Sequence, residues 1–295
     1  MRKLFALLGK VAARTIEQNS SALEWVRTHH FKGKVVVVSQ IQEKFLREGE
    51  FVADVKGIKY QLNCKDWIQK HIYFDTFERR EIKTALQYVE RGGGIYFDVG
   101  SNVGFYALNF AKQSGRNGKV YAFEPDPKTY QKLRKNIELN HFNEIIESFD
   151  TAVAEVSGEK IFYISSKESS AWGTTIQEGK ERAIESLSVK TISLDEFVSE
   201  KGIKEINFMK VDVEGGEFEL MQGAKNVFKS KAVKKLFIEC SGPSLSIRGK
   251  TLNEYLSLFE QVDYKPVDKY QHLIEKMKVG NLYKKMNVNL LFEPK

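Results

Sequence analysis

Short apolar runs alternate along this chain with segments whose apolar positions recur every three or four residues. The pattern is clearest from residue 95 onward. Ile95 to Val99 reads as a buried strand of β-branched and aromatic residues, and Phe105 to Lys112 switches to helical spacing. Further strands are predicted at about 119 to 124, 145 to 150, 206 to 212 and 233 to 239. Asp126-Pro127 offers an N-cap and a first-turn proline for a helix reaching Asn140, and Ser193 with Glu196 has the form of a capping box for a helix ending near Gly202. Strands alternating with helices predict a mostly parallel sheet with right-handed crossovers. After a helix at about Thr251 to Glu260, the segments YKPVDKY and NVNLLFEP read as two closing strands. Upstream, FVADVKGIKYQLN has Lys56-Gly57 between alternating stretches, the sign of a hairpin, and a helix from about Glu78 to Glu90 runs into Arg91-Gly92-Gly93-Gly94. The expected organisation is an N-terminal helical and hairpin extension over residues 1–85 and an α/β domain over 86–295.

The turn after the first core strand carries the first chemical signal. In DVGSNVG, Asp98 closes the strand, and Gly100 and Gly104 would let backbone approach a bulky ligand in front of a helix N-terminus. A second acid, Glu124, ends the next strand about twenty residues on, where a ribose hydroxyl pair is held in such units. Asn102 occupies a position where the dinucleotide fingerprint needs glycine, which counts against a nicotinamide or flavin cofactor. A third segment, INFMKVDVEGGEFELMQG, delivers Asp212 and Glu214 to the carboxyl end of a strand before Gly215 and Gly216 open a helix. DVGSNVG, FEPDP, KVDVEGGE and FIEC, in this order and at these spacings, resemble the FkbM family of methyltransferases over roughly residues 57 to 293.

That resemblance implies a Rossmann-like, doubly wound class I methyltransferase sheet ending in an antiparallel strand pair, with S-adenosyl-L-methionine (SAM) as cofactor. It implies a cofactor floor from Gly100, Ser101, Asn102 and Gly104, with Asp98 holding either the turn or the cofactor amino group. Glu124 would take the ribose hydroxyls, and Asp150, Thr151 and Ala152 would lie near adenine. The implied reaction is methyl transfer to a hydroxyl of a small-molecule acceptor or glycan: a sugar, a glycan or a polyketide-like metabolite. Nitrogen or RNA methylation is the competing enzyme reading, favoured only by a basic N-terminus, and the aromatic stacking motifs of RNA modules are missing from the sequence. A non-catalytic SAM-binding scaffold is the alternative from another class, opposed by the intact acids Asp98, Glu124, Asp212 and Glu239.

An alcohol oxygen is a poor nucleophile until its proton is removed or its charge is stabilised, so a hydroxyl acceptor calls for a base or a metal. Asp212, Glu214 and Glu239 are the available acids at the expected ligand edge. One reading makes Asp212 the base or the acceptor's anchor, and another makes the three a divalent metal site of hard oxygen ligands. Glu214, Glu217 and Glu219 also suit a plain helix start. No histidine-cysteine cluster suggests zinc. The long interruption from Ser165 to Leu187 is expected near the acceptor, with Trp172 either stacking on it or simply packed. Trp67, His71, Tyr73, Phe74 and Phe77 either shelter the cofactor or pack on the sheet, and for His71 packing is the expectation.

Charge adds one further lead. The 295 residues carry a formal +7, of which +6 lies before residue 86. This surplus suits an anionic partner or an ordinary solvated surface. In MRKLFALLGKVAAR the apolar run is too short for a secretory signal and is broken by Lys10 and Arg14. An amphipathic helix that packs on the protein or makes peripheral membrane contact fits better. Two cysteines, Cys64 and Cys240, form no disulfide framework, and the expected setting is reducing and cytoplasmic.

Overall fold

The alternating stretches of the N-terminal part form the expected hairpin, β1 (Phe51–Val55) and β2 (Ile58–Leu62), with Val55 opposite Ile58. Lys56 and Gly57 both have positive φ, 55° and 74°, which is what a two-residue turn needs to follow the right-handed twist of its strands. Helices α1 (Ser20–Thr28) and α2 (Lys34–Gln40) precede the hairpin. Helix α3 (Trp67–Tyr73) follows, its N-cap Asp66 accepting from the Gln69 N–H at 2.9 Å. His71 is packed, as expected: it is buried, its Nδ1 lies 2.7 Å from the Thr76 hydroxyl, and burial pushes its imidazole down to about 4. This computed structural model describes residues 20–42, 46, 48–165 and 173–295. It divides into two compact units, one ending at Ile82 and a larger one starting at Lys83, with the boundary inside helix α4 (Arg79–Leu86). The expected helix at residues 1–14 and Trp172 lie outside the described residues.

The larger unit is built on a seven-stranded sheet. Its strands are β3 (Ile95–Val99), β4 (Lys119–Phe123), β5 (Ile146–Phe149), β10 (Phe208–Val211), β11 (Leu236–Ser241), β12 (Tyr264–Pro266) and β13 (Asn287–Pro294). Their spatial order is β12-β13-β11-β10-β3-β4-β5. The first five in sequence run parallel, and β13 pairs antiparallel with both β11 and β12. The chain therefore moves outward from β3 to β5, crosses back to β10 beside β3, and moves outward the other way. Helices α5 (Phe105–Ser114) and α6 (Pro127–Leu139) make the first two crossovers, α6 capped by Asp126 as its sequence predicts. Later helices are α7 (Leu194–Glu200), α8 (Glu217–Gln222), α9 (Lys225–Lys229), α10 (Gly242–Ile247), α11 (Leu252–Glu260) and α12 (Asp268–Lys278). Only half of the Ser193 capping box forms. Ser193 accepts from the Glu196 N–H, while the Glu196 carboxylate takes the Ser157 hydroxyl instead.

Two features depart from the sequence pattern. The segment YKPVDKY is only partly strand, because Pro266 ends β12 and α12 starts at Asp268, burying Ile274 and Met277. Residues 151 to 193 also build a second, four-stranded sheet of β6 (Thr151–Ala154), β7 (Gly158–Ile164), β8 (Gly173–Thr174) and β9 (Glu185–Ser193), in the order β6-β9-β7-β8. The described part of the long interruption is thus an edge strand plus a 3₁₀ turn at Gln177–Arg182, rather than an open loop.

The core under the parallel strands is strongly aromatic. Phe197 of α7 places its ring 4.9 to 5.8 Å from those of Phe97, Tyr121, Phe123 and Phe149, edge-on to each. It anchors one helix on three neighbouring strands. Phe197→Ala is expected to cost about 3 to 5 kcal/mol, the range for emptying a well-packed aromatic site, seen as a lower urea midpoint with little change in slope.

Candidate active site

The order of strand addition reverses between the parallel neighbours β3 and β10, and the crevice outside the carboxyl ends at such a switch point is where ligands of open α/β sheets bind. Residues 98–104 form its wall. Asp98 is 1% exposed, and its Oδ2 accepts from the Ala107 N–H in the first turn of α5 at 2.9 Å. Its Oδ1 is buried and accepts no hydrogen bond from any described residue. Burial pushes this carboxyl up to about 7, against the pull of the nearby Lys210 ammonium and the Ala107 N–H.

The loop is tied to β4 at its other end. The N–H groups of Gly100 and Ser101 both donate to the Phe123 carbonyl, and the Ser101 hydroxyl donates to the Asp98 carbonyl at 2.6 Å. Glu124 then closes the loop: one carboxylate oxygen accepts from the Asn102 N–H at 2.8 Å, the other from the Asp126 N–H at 2.9 Å. It is only 7% exposed, and burial raises it to about 8 in spite of both N–H donors. The glycines are also required by the protein's own packing. A Cβ on Gly100 would stand 1.8 Å from the Asp212 carbonyl oxygen, and one on Gly104 would stand 2.7 Å from Leu133 Cδ1. Both also have positive φ, 80° and 91°. Their missing side chains make room for protein, namely the neighbouring strand end and helix α6, so they set the loop's position.

The acids after the other strands converge beside this loop. Asp212 follows β10, and its N–H donates to the Val99 carbonyl at 2.9 Å. Its Oδ2 takes the Lys210 ammonium at 3.1 Å, and Lys210 itself is 1% exposed. Glu214 adopts φ 50° and Gly215 φ 97°. Carboxylate oxygens of Asp212, Glu214 and Glu239 all lie within 4.8 Å of one another. Glu239 Oε2 is buried without a hydrogen-bond donor among the described residues, and the Glu239 carbonyl accepts from the Tyr255 hydroxyl at 2.6 Å. Burial, then the charges of Asp212 and Glu214, raise the Glu239 carboxyl well above the usual range.

The other two acids of the helix start behave differently. Glu217 is buried, accepts from the Gly215 N–H and is raised to about 7 by burial, while Glu219 forms an ion pair with Arg248. Arg248 also donates to the Gly215 carbonyl at 2.5 Å, bracing the turn that carries Glu214.

Of the residues expected from sequence, Asp98, Gly100, Ser101, Asn102, Gly104 and Glu124 share one network, and Asp212 joins it through Gly100. Asp150 lies in the bend between β5 and β6, and Thr151 and Ala152 belong to the neighbouring sheet. Asp150 has a half-exposed side chain 3.4 Å from the Lys190 ammonium, Thr151 begins β6, and Ala152 is buried against Phe162 and Val189. Lys210, Arg248 and Tyr255 were not among the expected site residues. For Lys210 a signal existed, since it stands two residues before Asp212 on one strand and so shares its face. The segment containing β8 reaches the turn after Glu214: Ile176 Cδ1 lies 3.0 Å from where a Cβ of Gly215 would stand.

A parallel sheet with this switch point, a glycine loop closed by an acid, and acids at the adjoining strand ends define a doubly wound nucleotide-site protein. The chain belongs to the FkbM methyltransferase domain family, whose pattern its residues 98–266 match. It is 31% identical over 153 residues to the hexuronic acid methyltransferase AglP of Haloferax volcanii, a match covering 52% of this chain and 59% of that one. It is 27% identical over 156 residues to the 2-O-methyltransferase NoeI of Sinorhizobium fredii, covering 48% and 62%. With the 31-O-demethyl-FK506 methyltransferase FkbM of Streptomyces tacrolimicus it shares 26% over 181 residues, covering 51% and 68%. The chain thus spans about three fifths of the length of the first two relatives.

The raised carboxyls make a prediction for stability. Asp98, Glu124 and Glu217 hold protons more tightly folded than unfolded, from ordinary values of 3.8 and 4.5 up to about 7 or 8. Between those limits the unfolded chain has lost protons that the folded chain keeps, so stability is greatest at the acid end and falls as pH rises. Denaturant titrations across that window should show the decline, and Glu124→Gln should flatten it. An unchanged slope in the variant would assign the decline to other groups.

Proposed function

We propose that this chain is a SAM-dependent O-methyltransferase whose acceptor is a hydroxyl of a sugar or glycan, with a polyketide-like alcohol as the wider class. The observation that carries the reading is the meeting of the family's glycine loop with three carboxylates at one switch point. The names of two relatives, a hexuronic acid methyltransferase and a 2-O-methyltransferase, support the acceptor class.

The crevice suits the cofactor in two respects. Asp98 Oδ1 is a buried acceptor without a donor among the described residues, as a site for a cationic amino group requires. Both oxygens of Glu124 keep a lone pair after receiving their backbone N–H groups, so the same carboxylate can hold the loop and accept ribose hydroxyls. SAM bound there would supply an electrophilic methyl group on sulfur. The chain's own part is to orient the acceptor and take its proton.

Asp212 is the residue we assign to the acceptor hydroxyl, with its orientation fixed by Lys210. Glu239 and Glu214 have carboxylate oxygens within 4.8 Å of those of Asp212, close enough to act with it on the acceptor. A second reading rests on charge balance. Three carboxylates crowded within 4.8 Å of one another repel when ionised together. Either a proton on Glu239 or a divalent cation held by hard oxygen ligands relieves that repulsion.

Calorimetry with SAM and its demethylated product should detect binding, and NAD should not bind. Glu124→Ala should weaken SAM binding by about 1 to 3 kcal/mol, the cost of a lost charged hydrogen bond. Equal affinity in the variant would remove Glu124 from the cofactor site, and NAD binding without SAM binding would overturn the reading of the crevice.

The acceptor side has its own test, with labelled methyl transfer to pooled glycans and metabolites as the assay. Asp212→Asn should slow turnover by roughly two to four orders of magnitude while leaving SAM affinity nearly unchanged. Activity lost to a chelator and restored by magnesium or manganese would select the cation reading, and indifference to chelation the proton reading. Near-normal turnover by Asp212→Asn would refute both.

A further inference from the structure

Helix α12 ends in a turn that the catalytic reading leaves without a role. After Lys278 the chain folds into a 3₁₀ turn over Val279–Lys285, with Gly280 and Asn281 both left-handed at φ 56°. This tight reversal leaves Val279 67% and Leu282 52% exposed, the two most exposed large hydrophobic residues on this part of the surface. Lysines surround them: Lys276 and Lys278 lie before the tip, Lys284 and Lys285 after it, and all four are exposed. Residues 268–285 contain five lysines against two acids, and of the four flanking lysines only Lys278 forms an ion pair among the described residues, with Glu275 at 3.1 Å.

The tip is also firmly seated. Tyr283 is buried, the Gly242 N–H donates to the Met286 carbonyl at 2.8 Å, and a Cβ on Gly242 would stand 1.6 Å from the Tyr283 carbonyl oxygen. The turn is thus braced against the start of α10, directly after the strand that carries Glu239.

We infer that this turn docks the protein on an anionic lipid surface, Val279 and Leu282 entering the interface and the flanking lysines meeting the headgroups. Aliphatic tips gain by leaving water, and lysines can extend their stems along the same surface while their ammonium groups reach lipid phosphates. The combination selects lipid over RNA, because single-stranded nucleic acid is gripped through stacking on exposed rings and the one aromatic residue of the turn, Tyr283, is buried. The inference does not depend on which acceptor the enzyme uses. Its consequence is that the carboxyl edge of β11 is held near a membrane face, where a lipid-carried glycan would be within reach.

Co-sedimentation of the full chain with vesicles tests this. Binding is expected to mixed phosphatidylglycerol–phosphatidylcholine vesicles, to weaken as salt is raised, and to be slight with phosphatidylcholine alone. Lys284→Glu with Lys285→Glu should lower the partition coefficient by at least ~25-fold, taking a factor of about five for each lysine near an anionic surface. Val279→Ser with Leu282→Ser leaves the charge intact and should also reduce binding. All four side chains are exposed, so the fold is expected to survive, and unchanged circular dichroism and SAM affinity would establish that. No binding by the parent chain, equal binding by both double variants, or a preference for RNA over vesicles at the same salt would each overturn the inference. Loss of SAM binding by the parent chain would instead strike the proposed reaction and leave the vesicle result standing.

Discussion

The pairing of β3 with β10 is the constraint on which the rest of the site depends. These two strands are far apart in sequence and adjacent in space, with Asp98 opposite Lys210 and Val99 opposite Val211. The Asp212 N–H extends the ladder by one bond to Val99, and its carbonyl fills the space beside Gly100. A side chain at position 100 would force the loop away from the strand end and separate the two halves of the crevice. The glycine is therefore needed for contact within the protein, and the crevice takes its shape from that contact.

Electrostatics then govern what the crevice can do. Six carboxyls lie at or beside it, and four of them, Asp98, Glu124, Glu217 and Glu239, are raised chiefly by burial. Lys210 is the buried cation set against them, bonded to Asp212 and above the ring of Tyr106 at 5.4 Å. Burying so many acids opposes folding at neutral pH unless ligand charge or protons offset it. Sites that bind cationic or proton-donating ligands are where such an arrangement is expected. The same low polarity that raises these groups strengthens every bond they make to a bound ligand.

The second sheet gives this architecture its asymmetry. Strand β9 pairs with β6 on one side and β7 on the other, and β8 pairs antiparallel with the far side of β7 as the edge strand. Ile176, just beyond β8, reaches the Gly215 turn next to Glu214. Asp150 illustrates the division. It follows the third core strand, but its partner is Lys190 of the second sheet.

Much of the fold was legible in the sequence because its signals are local. The Lys56-Gly57 turn and the Asp126-Pro127 cap each settle a boundary within a few residues, and each forms as its residue types require. The site loop was legible for the same reason, as an acid and two glycines in one short turn. What the sequence could not decide is what each group meets. Nothing local distinguishes a glycine that admits a ligand from one that admits the Asp212 carbonyl, or an exposed Lys210 from one buried beside two acids. Nor could alternation reveal that residues 151 to 193 leave the main sheet to build another, since strand pattern gives the face of a residue and not the partner of its strand. Those outcomes depend on which strand ends lie side by side, a relation between residues more than a hundred positions apart that only the assembled sheet determines.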